Sequence, residues 1–209
     1  MKIKIFAMML LTVGFLPLMA QNTQKISCGI IAGVSTGTIK ISGFDNHIMS
    51  TIKGDNIFGM QGGLFAMYKV SPVYIKPAAI ISYKSGTMDV YNSEGFVYAQ
   101  SDFKMTRLET PLLFGVNIAG PVNLEAGPVY NYVLGVTNQY NGYTTDVPRN
   151  GFGYRAGVNA ELGHLALGLS YQSITNTSAA RGALESPGEV MLSAALTFCS
   201  KPGMAPYGR

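Results

Sequence analysis

From about residue 25 onward the chain is dominated by a period of two. Val190, Leu192, Ala194, Leu196 and Phe198 alternate with Met191, Ser193, Ala195 and Thr197. Leu165, Leu167, Leu169 and Tyr171 alternate with Ala166, Gly168, Ser170 and Gln172. Tyr154, Ala156, Val158, Ala160 and Leu162 do the same against Arg155, Gly157, Asn159 and Glu161. Residues 108–116 and 122–132 follow this rule, with Glu109, Pro111, Leu113, Asn123, Glu125 and Asn131 among the intervening positions. Successive side chains of a strand point to opposite faces, so each segment has one apolar face and one small or polar face. Weaker alternation near residues 25–35, 57–69 and 73–84 brings the expected number of strands to eight.

The connections alternate too. Short turns fall at Val70-Ser71-Pro72, Ala119-Gly120-Pro121 and Gly163-His164, and long polar loops are expected at residues 36–56, 85–104, 137–151 and 173–188. Tight turns on one side and long loops on the other are the asymmetry of a transmembrane barrel. About ten residues per strand is the length a tilted membrane strand requires. The pattern predicts an all-β protein, an eight-stranded antiparallel up-and-down transmembrane β-barrel.

Polarity decides between membrane and water. A soluble barrel turns its charged face outward and fills its interior with the apolar one. Here the polar face holds few charges, of both signs: Lys76, Arg107 and Arg155 against Glu109, Glu125 and Glu161. Its other positions are rich in glycine and alanine, which fit a narrow lumen. The apolar face ends in Tyr83, Tyr130, Tyr132, Tyr171 and Phe198, as a membrane-interface girdle demands. An isolated charge in a dry interior is prohibitive, whereas hydrogen-bonded pairs are tolerated. The six charges are therefore expected to form a paired network in the lumen. A secreted soluble barrel or sandwich is the competing architecture. Pro77, Pro111 and Pro128 lie inside expected strands; proline cannot donate to a ladder, and a closed barrel has no free edge, so either a bulge sits at each or the strand assignment there is wrong.

Composition narrows the class. The 209 residues are 47% hydrophobic and 12% charged, against about 25% charged in soluble domains. This excludes an intrinsically disordered chain. Lys2 and Lys4 precede an apolar stretch over residues 5–18, and Ala20 closes it before Gln21, the layout of a secretory signal peptide. The stretch is shorter than the ~20 residues a spanning helix needs. The expected organisation is a cleaved signal peptide at 1–20, a barrel at 21–199 and a flexible tail at 200–209. Loss of Lys2 and Lys4 lowers the net charge from +4 to +2, too weak and scattered for nucleic acid. The place expected is the outer membrane of a Gram-negative envelope. Outer-membrane lipid and the barrel-insertion machinery are the expected partners of a monomer.

Particular residues carry a family likeness. The run Thr106-Arg107-Leu108-Glu109-Thr110-Pro111-Leu112-Leu113-Phe114-Gly115, followed by Gly127-Pro128, resembles the PorT-like outer-membrane β-barrel family of the Bacteroidetes. Lys76-Pro77 leading to Tyr83-Lys84-Ser85-Gly86 resembles that family's third strand, and residues 167–174 with Asn176 its seventh strand and following loop. The likeness covers nearly the whole mature chain. It implies an eight-stranded barrel of the OmpX/OmpA kind, and one member type is implicated in type IX secretion. It carries over no catalytic signature.

Cys28 and Cys199, the two cysteines, fall at the start of the first strand and the end of the last. Closure of an even-stranded barrel brings both to the periplasmic side, where a disulfide could form. Alternation puts Cys28 on the outer face and Cys199 on the inner one, which an ideal ladder forbids unless a strand end twists. Two unpaired thiols are the alternative. His47 lies near Asp45 and Ser50 in the first long loop, and His164 occupies a tight turn. A hydrolase or acyltransferase needs such a triad, but these residues have no scaffolding strand. No metal-ligand spacing occurs and no cofactor is expected. Asn176-Thr177-Ser178 matches a glycosylation sequon.

Eight strands enclose a space just wide enough for their own side chains, which disfavours a diffusion pore. The function expected is that of a non-enzymatic integral outer-membrane protein of structural or interaction type. It acts through its outer loops, in envelope assembly or secretion, with secretion or envelope proteins as partners. Phe44, Tyr91, Phe96 and Tyr98 either anchor such contacts or pack the loops together. The alternatives are a lipid-modifying enzyme hosted by the barrel and a secreted soluble ligand-binding β-barrel.

Overall fold

The computed structural model describes residues 24–42, 51–91, 97–138, 149–178 and 182–202. The leader expected at 1–20 lies outside the described residues. The strands are β1 (Gln24–Ser42), β2 (Thr51–Val70), β3 (Val73–Tyr91), β4 (Val97–Ala119), β5 (Val122–Asn138), β6 (Asn150–Leu162), β7 (Leu165–Ser178) and β8 (Gly182–Pro202). Each pairs antiparallel with the next, and β1 pairs with β8 to close the barrel.

The three tight turns fall where the sequence places them. In the β4–β5 turn Gly120 has φ 54 and precedes Pro121, whose ring fixes φ near −65°. Glycine first with φ positive is the requirement of a type II′ hairpin. Asn117 Nδ2 holds the turn by donating to the Gly120 carbonyl at 2.9 Å.

Polarity runs inside out relative to a soluble barrel. Val158, Leu167 and Leu192 expose 45%, 46% and 58% of their surface on the outer wall, while Arg107 and Glu109 expose 1% each inside. Among the described residues, the exposed apolar series ends loopward at Val34, Phe58, Tyr83, Leu134, Phe152, Tyr171 and Val190. Paired rings lie near this edge: Tyr130 against Phe152 at 5.1 Å and Tyr154 against Tyr171 at 6.4 Å.

The strands outrun that edge, which corrects the expected loops. β3 continues from Tyr83 to Tyr91 and β7 from Tyr171 to Ser178. Tyr83, Tyr130, Tyr132 and Tyr171, expected at strand ends, therefore sit mid-strand, while Phe198 lies near the turn-side end of β8. At about 3.3 Å per residue and roughly 40° of tilt, some ten residues cover an apolar band of ~25 Å. The 23 residues of β4 exceed this about twofold, so the barrel continues as a paired rim beyond the band. Tyr91 and Tyr98 belong to β3 and β4 rather than to a loop, while Phe44 and Phe96 lie outside the described residues. The sequon lies within β7 with Asn176 buried, not in a loop. At the C-terminus β8 runs to Pro202, three residues past the expected boundary at 199.

The bulges expected at the prolines are not found. Register is constant on both sides of Pro77, Pro111 and Pro128, and the pairing is only interrupted locally. Between β2 and β3 it skips from Phe65–Ala78 to Tyr68–Ile75, and between β4 and β5 from Pro111–Val129 to Phe114–Ala126. A missing donor removes a rung, but the long ladders on either side hold the register without an inserted residue.

The bulge that matters sits elsewhere. Cys28 opposes Cys199, but Gly29 opposes Thr197, so Phe198 is the extra residue of β8. This slip by one returns Cys199 to the face of Cys28 and removes the conflict that strict alternation raises. The two cysteines are joined, with Cα atoms 5.1 Å apart, across the β1–β8 seam.

Candidate functional site: the charged lumen

The inward faces build three levels along the lumen. At the centre, Glu109 of β4 accepts from Arg107 Nε at 2.7 Å, Ser82 Oγ at 2.8 Å, Arg155 Nη2 at 2.8 Å and Gln172 Nε2 at 3.1 Å. Arg155 Nε donates to Gln172 Oε1 at 2.7 Å. Arg107 Nη2 reaches Glu189 Oε2 at 2.8 Å, and Glu189 also pairs with Lys84. Five strands, β3, β4, β6, β7 and β8, are thereby tied through side chains buried in the middle of the barrel. The desolvation of such ions is offset only when geometry and hydrogen bonding are complete. Here three cations surround two carboxylates, and every one of the five ions has a partner.

Toward the loops the lumen turns apolar. Ile39, Ile57, Phe103, Met105 and Val133 pack together with Val136 beside them. Nearby, Asn131 and Asn176 exchange amide hydrogen bonds of 3.2 and 2.9 Å across β5 and β7. The apolar layer and the ion cluster both lie within the bore, whose width in an eight-stranded barrel suits its own side chains.

Toward the turns the lumen opens into a mouth. Lys76 pairs with Glu125, which also accepts from Tyr74 Oη at 3.2 Å. Tyr74 lies flat against Gly115, its partner on β4, where any Cβ would come within 2.0 Å of the ring. Lys69 pairs with Glu161 at 2.9 Å. A small cavity of about 60 Å³ is lined here by Lys25, Ser27, Lys76, Glu161 and His164, among others.

The six charges expected in the lumen thus divide. Arg107, Glu109 and Arg155 share the central cluster, Lys76 and Glu125 form a separate pair, and Glu161 is partnered by Lys69 instead of by one of the six. Lys69, Lys84, Glu189, Ser82 and Gln172 are members beyond the expected six. Lys84 stands on the same face as Lys76, four alternations on, and Glu189 precedes Met191 on the inner face of β8. The period marks both. His164 is at the β6–β7 turn, and His47, Asp45 and Ser50 lie outside the described residues. Among the described residues no group of three His, Cys, Asp or Glu side chains is placed to hold a metal.

Solved barrels share this architecture. Neisserial surface protein A superposes with a TM-score of 0.51 at 14% identity, covering 82% of this chain and 97% of its own. The attachment invasion locus protein Ail of Yersinia pestis gives 0.41 at 14% identity, covering 85% and 100%. OprG of Pseudomonas aeruginosa gives 0.43 at 13%, covering 85% and 96%. The first of these likenesses bears on the fold alone, the closed eight-stranded barrel described above. No family model matches the sequence, and no curated protein matches it.

Proposed function

We propose that this chain is a non-enzymatic, monomeric outer-membrane β-barrel protein that acts structurally or through partners at its loopward rim. The supporting observation is the inversion of polarity: a continuous apolar outer wall around a lumen of paired ions. Water would leave that wall unsatisfied, and lipid does not. A soluble ligand-binding barrel requires the opposite arrangement.

The export segment at 1–20 delivers the chain to the envelope, where the barrel-insertion machinery places it with its tight turns in the periplasm. Lys76, Arg107, Glu109, Glu125, Arg155 and Glu161 serve as structural ions of the lumen. The Cys28–Cys199 bond locks the closing seam. The likeness of residues 106–115 and 127–128 to the PorT-like family points to envelope assembly or secretion as the setting. A filled lumen leaves the paired rim beyond the apolar band as the surface on which partners act.

Fractionation tests this. The protein is expected in carbonate-washed outer membranes, and to migrate faster on a gel when unboiled than when boiled. Release by the wash, or a single boiling-independent band, would refute it.

A further inference from the structure

The barrel's turn-side mouth holds charge that its own residues leave uncompensated. Lys25 and Lys69 are directly opposed across β1 and β2. Like charges in that position repel. Glu161 answers Lys69 at 2.9 Å, whereas Lys25 has no ion-pair partner among the described residues. The other carboxylate at this end, Glu125, already serves Lys76 and the Tyr74 hydroxyl. Among the described residues the mouth therefore carries three lysines, Lys25, Lys69 and Lys76, against two carboxylates, Glu125 and Glu161.

A second observation points the same way. Ser27, two residues along the inner face from Lys25, is 2% exposed, and its Oγ has no hydrogen-bond partner. Leaving a buried hydroxyl unpaired is costly. Ser27 and Lys25 both line the cavity of about 60 Å³, with Lys76, His164 and the carboxylate of Glu161, itself paired with Lys69, on its other walls. A water needs at least about 10–15 Å³ of such space, so several waters or one small polyatomic ion would fit. Lys25 is exposed and meets water at the opening, whereas the Ser27 hydroxyl beside it is enclosed. A compact anion answers both.

We propose that this mouth binds a compact oxyanion, a phosphate or carboxylate group, held by Lys25 and Ser27 with Lys69 beside them. This goes beyond the proposed function, and it depends on the closed barrel rather than on its membrane.

Calorimetry on the folded protein in maltoside micelles, which contain neither phosphate nor carboxylate, tests it with inorganic phosphate and with acetate. Saturable binding of at least one is expected. Lys25→Met and Ser27→Ala should each weaken it about tenfold, the loss of a charge-assisted hydrogen bond, while both keep the faster unboiled band. Repeating the titration in phosphatidylglycerol and phosphatidylcholine nanodiscs identifies the source. Unchanged affinity in both bilayers assigns the site to anions from solution, and a drop confined to phosphatidylglycerol assigns it to a lipid headgroup. Absence of binding to the wild type by either anion in micelles overturns the proposal, and so does equal affinity of both variants with the wild type.

Discussion

The centre of the lumen and its turn-side mouth are built from the same residue types, lysine, glutamate and a hydroxyl, yet they treat charge differently. At the centre Glu109 accepts from four side chains, and Arg107, Arg155, Lys84 and Glu189 are all buried and partnered. At the mouth the Lys69–Glu161 pair is 20% and 30% exposed, and Ser27 has no partner. A buried ion must be fully satisfied by the protein, because nothing else can reach it. Near the opening solvent and small ions share that task, so the chain can leave donors free. The centre is thus a girder, and the mouth has the latitude of a site.

Glu109→Leu should give the largest effect, because it leaves Arg107 and Arg155 facing each other without their shared carboxylate. Removing one partner of a buried ionic cluster costs about 3–5 kcal/mol. Urea titration of the unboiled gel band in micelles measures this. A loss below about 1 kcal/mol would show that the centre is as tolerant as the mouth and erase the contrast.

The mouth needs another source of rigidity, and the covalent seam provides it. Cys28 and Cys199 are 171 residues apart in sequence and join β1 to β8 at the turn-side end. The chain-entropy account gives about 5 kcal/mol for so long a loop, of which disulfides typically deliver about 2–4. The double variant Cys28→Ser, Cys199→Ser should lower the urea midpoint accordingly, and reductant should have no further effect on it. An unchanged midpoint would leave the turns alone to hold this end.

A third substitution probes the wall between lumen and surroundings. Leu192→Arg places a charge in the middle of the apolar face of β8, which costs about 3 kcal/mol at the depth of a bilayer midplane. Ser193, one residue on, faces the lumen, and Ser193→Ala should be nearly silent. Refolding yields into phospholipid vesicles separate the two. Equal tolerance of both would mean that the outer wall does not meet lipid.

These contrasts mark what could be read from sequence. Leu192, Leu167 and Val158 advertise their face because every second neighbour is small or polar, and Gly120-Pro121 states its turn outright. The rim reads as loop in the sequence for a physical reason. Beyond Tyr83 and Tyr171 the outer face turns polar while the lumen face turns apolar at Ile39, Ile57 and Phe103, so the sense of the alternation reverses although the strand continues, as the exposed Thr175 and Lys104 illustrate. Lys84 and Glu189 lie at that edge, and only their parity with Lys76 and Met191 places them inside. The slip at Phe198 leaves no trace in the pattern, since one inserted aromatic in an apolar strand looks like any other. Lys25 and Lys69 meet only once register is known. The orphaned Ser27 hydroxyl is equally silent in the sequence.

The smallest expected effect separates scaffold from site most cleanly. Glu161→Gln removes the one carboxylate beside Lys69 and leaves the shape of the mouth intact. Because the pair is partly exposed, stability should fall by less than about 1 kcal/mol, and the difference should shrink further as salt is raised. Glu109 variants should show no such salt relief, their partners being out of reach of solvent. In the same protein phosphate affinity should rise several-fold, because the acid that competes for Lys69 is gone. A large loss of stability would make Glu161 part of the girder. Unaltered phosphate affinity alongside unaltered stability would mean that Lys69 stands apart from the anion, leaving Lys25 and Ser27 as its holders.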